Sequence, residues 1–367
     1  MENITPSGLS TTGYKPTGAV GWFDTGHTLE KLSKLGNPLE KLSRVIDFEM
    51  FRRPLEEKLL SRDRKSNAGC KPYDVVLMFK ILLLKRLYRL SDDQAEYQVN
   101  DRLSFREFLG LSSGDRVPDA RTVWLFQENL AGGRLEEEPF ALFNRRLDGL
   151  GLFAKEGKIV DASFVEVPRQ RNTREENDAI RAGEGAGLWQ DKPRKQRQKD
   201  VDARWARKNG QTFYGYKDHA KIDARSKLIA GYGVTHAAVH DSCGPGPLLE
   251  ESDRGQPLYA DSAYTGAPIA EMLAGRGIPG QIIERGVRGR PLTDGQKESN
   301  HVKSKTRSRG EHVFGFISNS MGGFYTRAIG LRRTRCVVGL VNLLYNLFRY
   351  EQIVRLKLLP LPGGALP

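Results

Sequence analysis

Cysteine is scarce in this 367-residue chain: Cys70, Cys243 and Cys336, odd in number and far apart. That excludes a disulfide framework and fits a reducing compartment. His236, His240 and Cys243 have a zinc-like spacing, but a fourth ligand is missing and no partner cysteine is near. Long apolar runs are absent too. The most apolar stretch near the C-terminus, Cys336-Val-Val-Gly-Leu-Val-Asn-Leu-Leu-Tyr-Asn-Leu-Phe348, is too short and too polar to cross a bilayer. The first residues, Met1-Glu-Asn-Ile, show no basic-then-apolar signal pattern, and no internal repeat is present. The expectation is a cytoplasmic protein with no membrane partner.

Acidic charge is in deficit. Lys and Arg number 58 against 45 Asp and Glu, a formal net charge of +13. This favours a polyanionic partner, since basic side chains that meet phosphates release counterions and gain sequence-independent affinity. A soluble protein that is merely basic is the plainer alternative.

The pattern along the chain divides it. Residues 1–37 are rich in Gly, Thr and Ser with little periodicity and read as a flexible lead-in. Residues 38–150 are mainly helical, with an apolar helix from Tyr73 to Leu87, a helix capped by Ser91, and another behind Asp119. Short helices with scattered arginines suit either a DNA-binding or dimerisation domain or a plain helical scaffold. Residues 155–350 alternate strand and helix, including a hairpin joined through Asp223-Ala-Arg-Ser-Lys227, which makes a mixed α/β sheet domain. A polar insertion at 168–210 interrupts it. Its densest basic run, Lys192-Pro-Arg-Lys-Gln-Arg-Gln-Lys199, reads as a flexible loop whose Lys192, Arg194, Lys195, Arg197 and Lys199 follow a DNA backbone or simply stay solvated. Residues 351–367 form a C-terminal tail, and the arginines that begin the preceding helix are expected to face DNA.

Three carboxylates stand out by their settings. Asp161 lies inside the apolar run Lys158-Ile-Val-Asp-Ala-Ser-Phe-Val-Glu-Val167, a buried strand. Asp261 ends a second such run, Pro257-Leu-Tyr-Ala-Asp-Ser-Ala-Tyr264, and Glu311 sits in the helical Arg307-Ser-Arg-Gly-Glu-His-Val-Phe-Gly-Phe-Ile317. A buried carboxylate needs a partner or a metal, and oxygen ligands suit hard divalent cations. Helical spacing puts Ser304, Arg307, Glu311 and Ser318 on one polar stripe, so Arg307 can hold Glu311 ionised or grip a phosphate. On spacing alone, Asp261 capping a turn and Glu311 pairing with Arg307 is an equal reading. Glu284, in a further strand, is a rival third carboxylate.

Ile159-Val-Asp-Ala-Ser, Asp202-Ala-Arg-Trp-Ala-Arg-Lys-Asn-Gly-Gln-Thr-Phe-Tyr-Gly-Tyr-Lys-Asp-His219, Val239-His-Asp-Ser242, Tyr259-Ala-Asp-Ser-Ala-Tyr264 and Arg307-x-x-x-Glu-His-x-Phe resemble, in order, the motifs of bacterial insertion-sequence DDE transposases, specifically the insertion-sequence-five family. Pro118-Asp-Ala-Arg-Thr122 resembles that family's N-terminal domain. The resemblance implies an RNase H-like catalytic domain in which Asp161, Asp261 and Glu311 hold two Mg²⁺ or Mn²⁺ ions. It further implies double-stranded DNA partners, namely the element's terminal inverted repeats and a target, and at least a homodimer during reaction. The family's helical signature matches at Arg307 and Glu311 but has Tyr where Ser304 stands and Lys where Ser318 stands. Lys217 and His219 share a face of a strand beside that of Asp161, where contact with DNA phosphate and a surface structural role both fit. Asp241 reads as a helix cap, and His312 either approaches the site or only packs. The expected activity is metal-dependent cleavage at element ends followed by strand transfer. A decayed or regulatory DNA-binding copy, or a nuclease without strand transfer, are the alternatives.

Overall fold

The computed structural model describes residues 24–59, 71–112, 114–133 and 137–360. Helices α1 (Asp24–Lys34), α2 (Pro38–Val45), α3 (Arg52–Leu59), α4 (Val75–Leu87), α5 (Asp92–Asp101), α6 (Leu103–Leu109), α7 (Ala120–Gly132) and α8 (Glu137–Gly149) come first. Their starts follow from short polar caps. Asp74 accepts from the Val76 and Leu77 N–H groups, Ser91 and Gln94 form a reciprocal capping box, and Asp119 accepts from Thr122. α4 is apolar almost all round and is accordingly enclosed by its neighbours. Residues 1–23 of the expected lead-in lie outside the described residues, whereas Asp24 to Lys34 form a helix, a correction to the loose segment read from composition.

The second half contains β1 (Lys158–Glu166), α9 (Arg174–Ala182), α10 (Pro193–Gln196), β2 (Arg204–Lys208), β3 (Gln211–Asp223), β4 (Ile229–His236), α11 (Pro245–Leu248), β5 (Leu258–Ala260), α12 (Ala267–Gly275), β6 (Gly280–Ile282), α13 (Asp294–Ser320) and α14 (Leu331–Leu356). The sheet runs β2-β3-β1-β5-β6, with β4 also on β3. β3 is antiparallel to β1, β2 and β4, while β1, β5 and β6 are parallel to one another. Four strands joined by antiparallel pairing, β1 to β4, extended by the two parallel strands β5 and β6, make this a mixed RNase H-like sheet. Gly215 is needed where β1 and β3 meet, because a Cβ there would lie 2.3 Å from the Val165 carbonyl oxygen.

The expected flexible insertion is folded, which corrects that reading. α9 is fixed by a Thr173–Glu176 capping box, and the buried Asp200 gathers the region. Its carboxylate accepts from the Tyr216 hydroxyl at 2.7 and 2.8 Å, from the N–H of Asp202 and Ala203, and from the N–H of Gly330 just before α14.

α14 ties the two halves together. It is buried from Thr334 to Ile353 along most of its length, packed between the helical layer and β3–β4. A single apolar cluster therefore runs from Leu39 through α4 and α14 to Ile222. Helix continues to Leu356 where a tail was expected from 351, and residues 361–367 of that tail lie outside the described residues. The arginines expected to face DNA at its start are partly engaged, with Arg332 and Arg333 both paired to Glu128 of α7.

At the centre of this contact Asn346 bonds the Ile229 backbone on both sides, and Asn342 donates to Asp218 of β3 at 3.1 Å. Complete burial pushes the Asp218 carboxyl up to about 7, against the pull of the Asn342 hydrogen bond. A carboxyl raised in the folded state stabilises fully below its unfolded pKa, and that contribution is lost as pH rises through the folded value. Between pH 4 and 7 the stability of the wild type should therefore fall relative to Asp218→Asn by as much as about 3–4 kcal/mol. Urea titrations of both proteins across that range check this; parallel pH profiles would contradict it.

Candidate active site

β1 and β5 pair in parallel with Ile159 opposite Tyr259. Two residues further along each chain stand Asp161 and Asp261, so alternation carries both carboxylates to the same face of the sheet. β5 stops at Ala260, and Asp261 caps the single turn Ser262–Tyr264 by accepting from the Ala263 N–H at 2.9 Å. α13 lies on that face. It can approach closely because Gly310 has no side chain: a Cβ there would be 3.1 Å from Cγ2 of Ile159. Close packing at Gly310, with Val313 and Ile317 buried, fixes the helix so that Arg307 and Glu311 line its edge over the end of β5.

Arg307 joins the first and third carboxylates. Its Nη1 donates to Asp161 Oδ2 at 3.3 Å, and its Nη2 donates to the Glu311 carboxylate. Asp161 is 15% exposed and Glu311 57%, so one is a buried charge and the other reaches toward solvent. Burial lifts the Asp161 carboxyl above its ordinary range, opposed by the Ala162 N–H and Arg307 and reinforced by the charge of Asp261. The Tyr264 hydroxyl is buried without a hydrogen-bond partner, and its pKa is raised by burial and then by Asp161, Asp241 and Asp261. Among the described residues, no three His, Cys, Asp or Glu side chains stand together as a ready metal cluster. Both bland readings thus coexist with the juxtaposition: Asp261 does cap a turn, and Glu311 does pair with Arg307.

Lys217 and His219 depart from expectation. Asp161 is paired with Ala220, Ala162 with His219 and Phe164 with Lys217, so both basic residues lie on the face opposite Asp161. They are buried, at 7% and 1% exposure. Lys217 donates to Asp241 at 2.8 Å and to the Val239 carbonyl, and sits over the Phe164 ring. His219 Nε2 meets the Thr235 hydroxyl at 2.8 Å, and burial lowers its pKa to about 4. Neither is open to a DNA phosphate. Asp241 is no helix cap either: it is the buried counter-ion of Lys217 and of Lys208 at the β2–β3 hairpin tip. Sequence reading missed Lys208 and Tyr264, although both lie inside the quoted motifs.

The basic run divides. Lys195 pairs with Glu176 and sits over Trp189, and Lys199 donates to the Arg171 carbonyl and Asn172, so both support the folded insertion. Lys192, Arg194 and Arg197 are exposed. Glu284 is engaged by Gln296 and Lys303 on the first half of α13, one turn or more before Arg307. His312 is exposed in a shallow cavity of about 530 Å³ with Glu311, Ser308 and Asn319. Ser318 is exposed and Ser304 half-buried on the same helix. His240 bonds Ser242 and makes no cluster with His236 and Cys243.

A family model described as a transposase DDE domain matches residues 153–347, and one described as a transposase domain (DUF772) matches residues 27–129. Among solved structures, the piggyBac transposase in a synaptic complex with hairpin DNA matches over 89% of this chain and 77% of that one, at 12% identity and a TM-score of 0.43. That likeness is too distant to carry an argument. No described helix is long and apolar enough to cross a membrane.

Removing one partner of a buried ion pair strands the other. Lys217→Met leaves Asp241 with Lys208 alone and should cost about 2–3 kcal/mol in urea denaturation. A loss below about 0.5 kcal/mol would contradict the pairing.

Proposed function

The chain belongs to the DDE transposases, and from that premise we propose that it cuts double-stranded DNA at the terminal inverted repeats of its own insertion sequence and joins the ends to target DNA. Asp161, Asp261 and Glu311 are the catalytic carboxylates in this reading. One observation carries it: two aspartates leave neighbouring parallel strands on the same face, with a glutamate tied to the first through Arg307. The ordered motifs that resemble the insertion-sequence-five family support placing it there.

DDE transposase domains work with divalent metal ions, and the residues fit one. The donors are all carboxylate oxygens, the preference of Mg²⁺ and Mn²⁺, and a cation would restore the ionised form of an Asp161 carboxyl that burial lifts. Two such ions, when bound, lower the pKa of the attacking water and neutralise the leaving oxygen. Asp161, Asp261 and Glu311 would hold them. Arg307, once released from Asp161, is free to hold a backbone phosphate in bidentate fashion. Lys192, Arg194 and Arg197 offer exposed charge to the backbone, contacts that position DNA without reading sequence. Two ends joined in one event call for at least a homodimer.

DNA carrying the flanking element ends, incubated with Mg²⁺ or Mn²⁺ and resolved on gels, tests this. Wild type should yield cleaved ends and joined products, and Asp161→Asn should lose both by a factor of about 10³ or more while still binding DNA. Cleavage without joined products would mean a nuclease. Binding without cleavage in either protein would mean a regulatory or decayed copy.

A further inference from the structure

The turn that follows β6 carries charge that nothing among the described residues neutralises. Arg285-Gly-Val-Arg-Gly-Arg290 folds back on itself through paired Val287 and Arg290 backbones, with N–H to O distances of 3.2 and 2.9 Å and Gly289 at a φ of +82°. Arg285, Arg288 and Arg290 are exposed, and among the described residues none has a hydrogen-bond, ion-pair or aromatic partner. Several other arginines of this domain are tied: Arg204 to three carbonyls, Arg225 to Glu156, Arg254 to Glu251, Arg276 to two carbonyls and Arg309 to Ala224, whereas Arg194, Arg197 and Arg207 are exposed and, among the described residues, as unpaired as those of the turn. The turn's base is firm. The Ile283 N–H continues the ladder to Ala260, and the Glu284 backbone exchanges two 2.9 Å hydrogen bonds with Asn300 of α13. The Glu284 side chain, the nearest acid in sequence, is already satisfied by Gln296 and Lys303.

Topology puts this turn beside the carboxylates. β1, β5 and β6 are parallel, so Asp261 and the turn emerge from the same end of the sheet, toward which β1 runs beyond Asp161. β3 is antiparallel to β1, which brings the β2–β3 hairpin tip, with exposed Arg207 and with Lys208, to that same end on the other flank. Across the sheet the order is cationic tip, Asp161, Asp261, cationic turn. β6 lies two strand spacings from β1, roughly 10 Å.

We propose that the Arg285–Arg290 turn is a DNA-backbone clamp, holding the phosphates on the β6 side of the cleavage position so that the DNA crosses the carboxyl end of the sheet from hairpin tip to turn. This rests on the function proposed above. With one phosphate per strand for each ~3.4 Å of duplex, the turn meets phosphates about three to five nucleotides from the one at the carboxylates. The contacts are to phosphate, so they set position and affinity, and sequence plays no part.

The test is the salt dependence of binding to a short duplex, read by fluorescence anisotropy, with metal-dependent cleavage of the same duplex followed in parallel. In Arg285→Ala/Arg288→Ala/Arg290→Ala the slope of log affinity against log salt should shrink by about three, and in Arg288→Ala alone by about one. Thermal melting should be unchanged, since the side chains touch nothing. A control, Lys155→Ala/Arg225→Ala/Arg254→Ala, removes equal charge from the opposite end of the sheet and should leave the slope in place. An unaltered slope in both turn variants overturns the clamp while leaving the transposase reading intact if wild type still binds and cleaves. Equal losses in control and turn variants also overturn it, because binding then follows net charge. A wild type that does not bind duplex DNA sinks both.

Discussion

A carboxylate in the middle of a β-strand, inside a sheet covered by helices, keeps its charge only if a cation can reach it; Asp218, which has none, is pushed toward its neutral form. Asp161 sets that requirement, and much of the domain is arranged around it. The cation that reaches it in this structure is Arg307, supplied by α13. α13 can deliver it only because Gly310 lets the helix settle against Ile159. The same contact brings Glu311 to the rim, so the residue type that satisfies the buried charge also positions the third carboxylate. An arginine is a reversible partner. It balances the charge while no ion is present and can move to a phosphate when one arrives, which makes the ion pair compatible with a metal-dependent site.

Support for this arrangement comes from the far side of the sheet and from α14. Lys217, Lys221 and Lys158 are buried on or beside β3 and β1, each neutralised by an aspartate, so the strands that carry the site are locked by ion pairs at their backs. α14 extends one apolar cluster from the N-terminal helices into the sheet. Breaking that helix would therefore loosen both halves at once. The insertion is tied in by Asp200, whose carboxylate bonds β3 through Tyr216 and the entry to α14 through Gly330.

The elements with strong local signals were legible in the sequence. The β3–β4 hairpin, the strand before Asp261, the helix through Glu311 and the caps at Ser91 and Asp119 all depend on alternation, turn chemistry or capping, which are properties of neighbours in the chain. What failed depended on contacts across space. Strand alternation puts Lys217 and His219 on one face correctly, but that this face is the one opposite Asp161 is set by the register Asp161 to Ala220, invisible from one strand. The insertion looked like a loop because α9 and α10 are polar and short, with Ile180 and Trp189 among their few buried apolar anchors. Its order comes from Glu176, which gathers Trp189 and Lys195 within the insertion, and from Asp200, whose partners Tyr216 and Gly330 lie outside it. The turn at Arg285–Arg290 has no signal in the sequence for the converse reason: a basic loop becomes informative only when its position beside Asp261 and the engagement of many other arginines are known.

The measurement that bears most directly on the account is anomalous diffraction from crystals grown with Mn²⁺. The expected map has manganese between Asp161 and Asp261, with Glu311 turned toward it and Arg307 withdrawn from Asp161. Manganese bound at other residues, or an Arg307–Asp161 pair left intact beside an empty density at saturating Mn²⁺, would contradict the claim that these three carboxylates form the metal site.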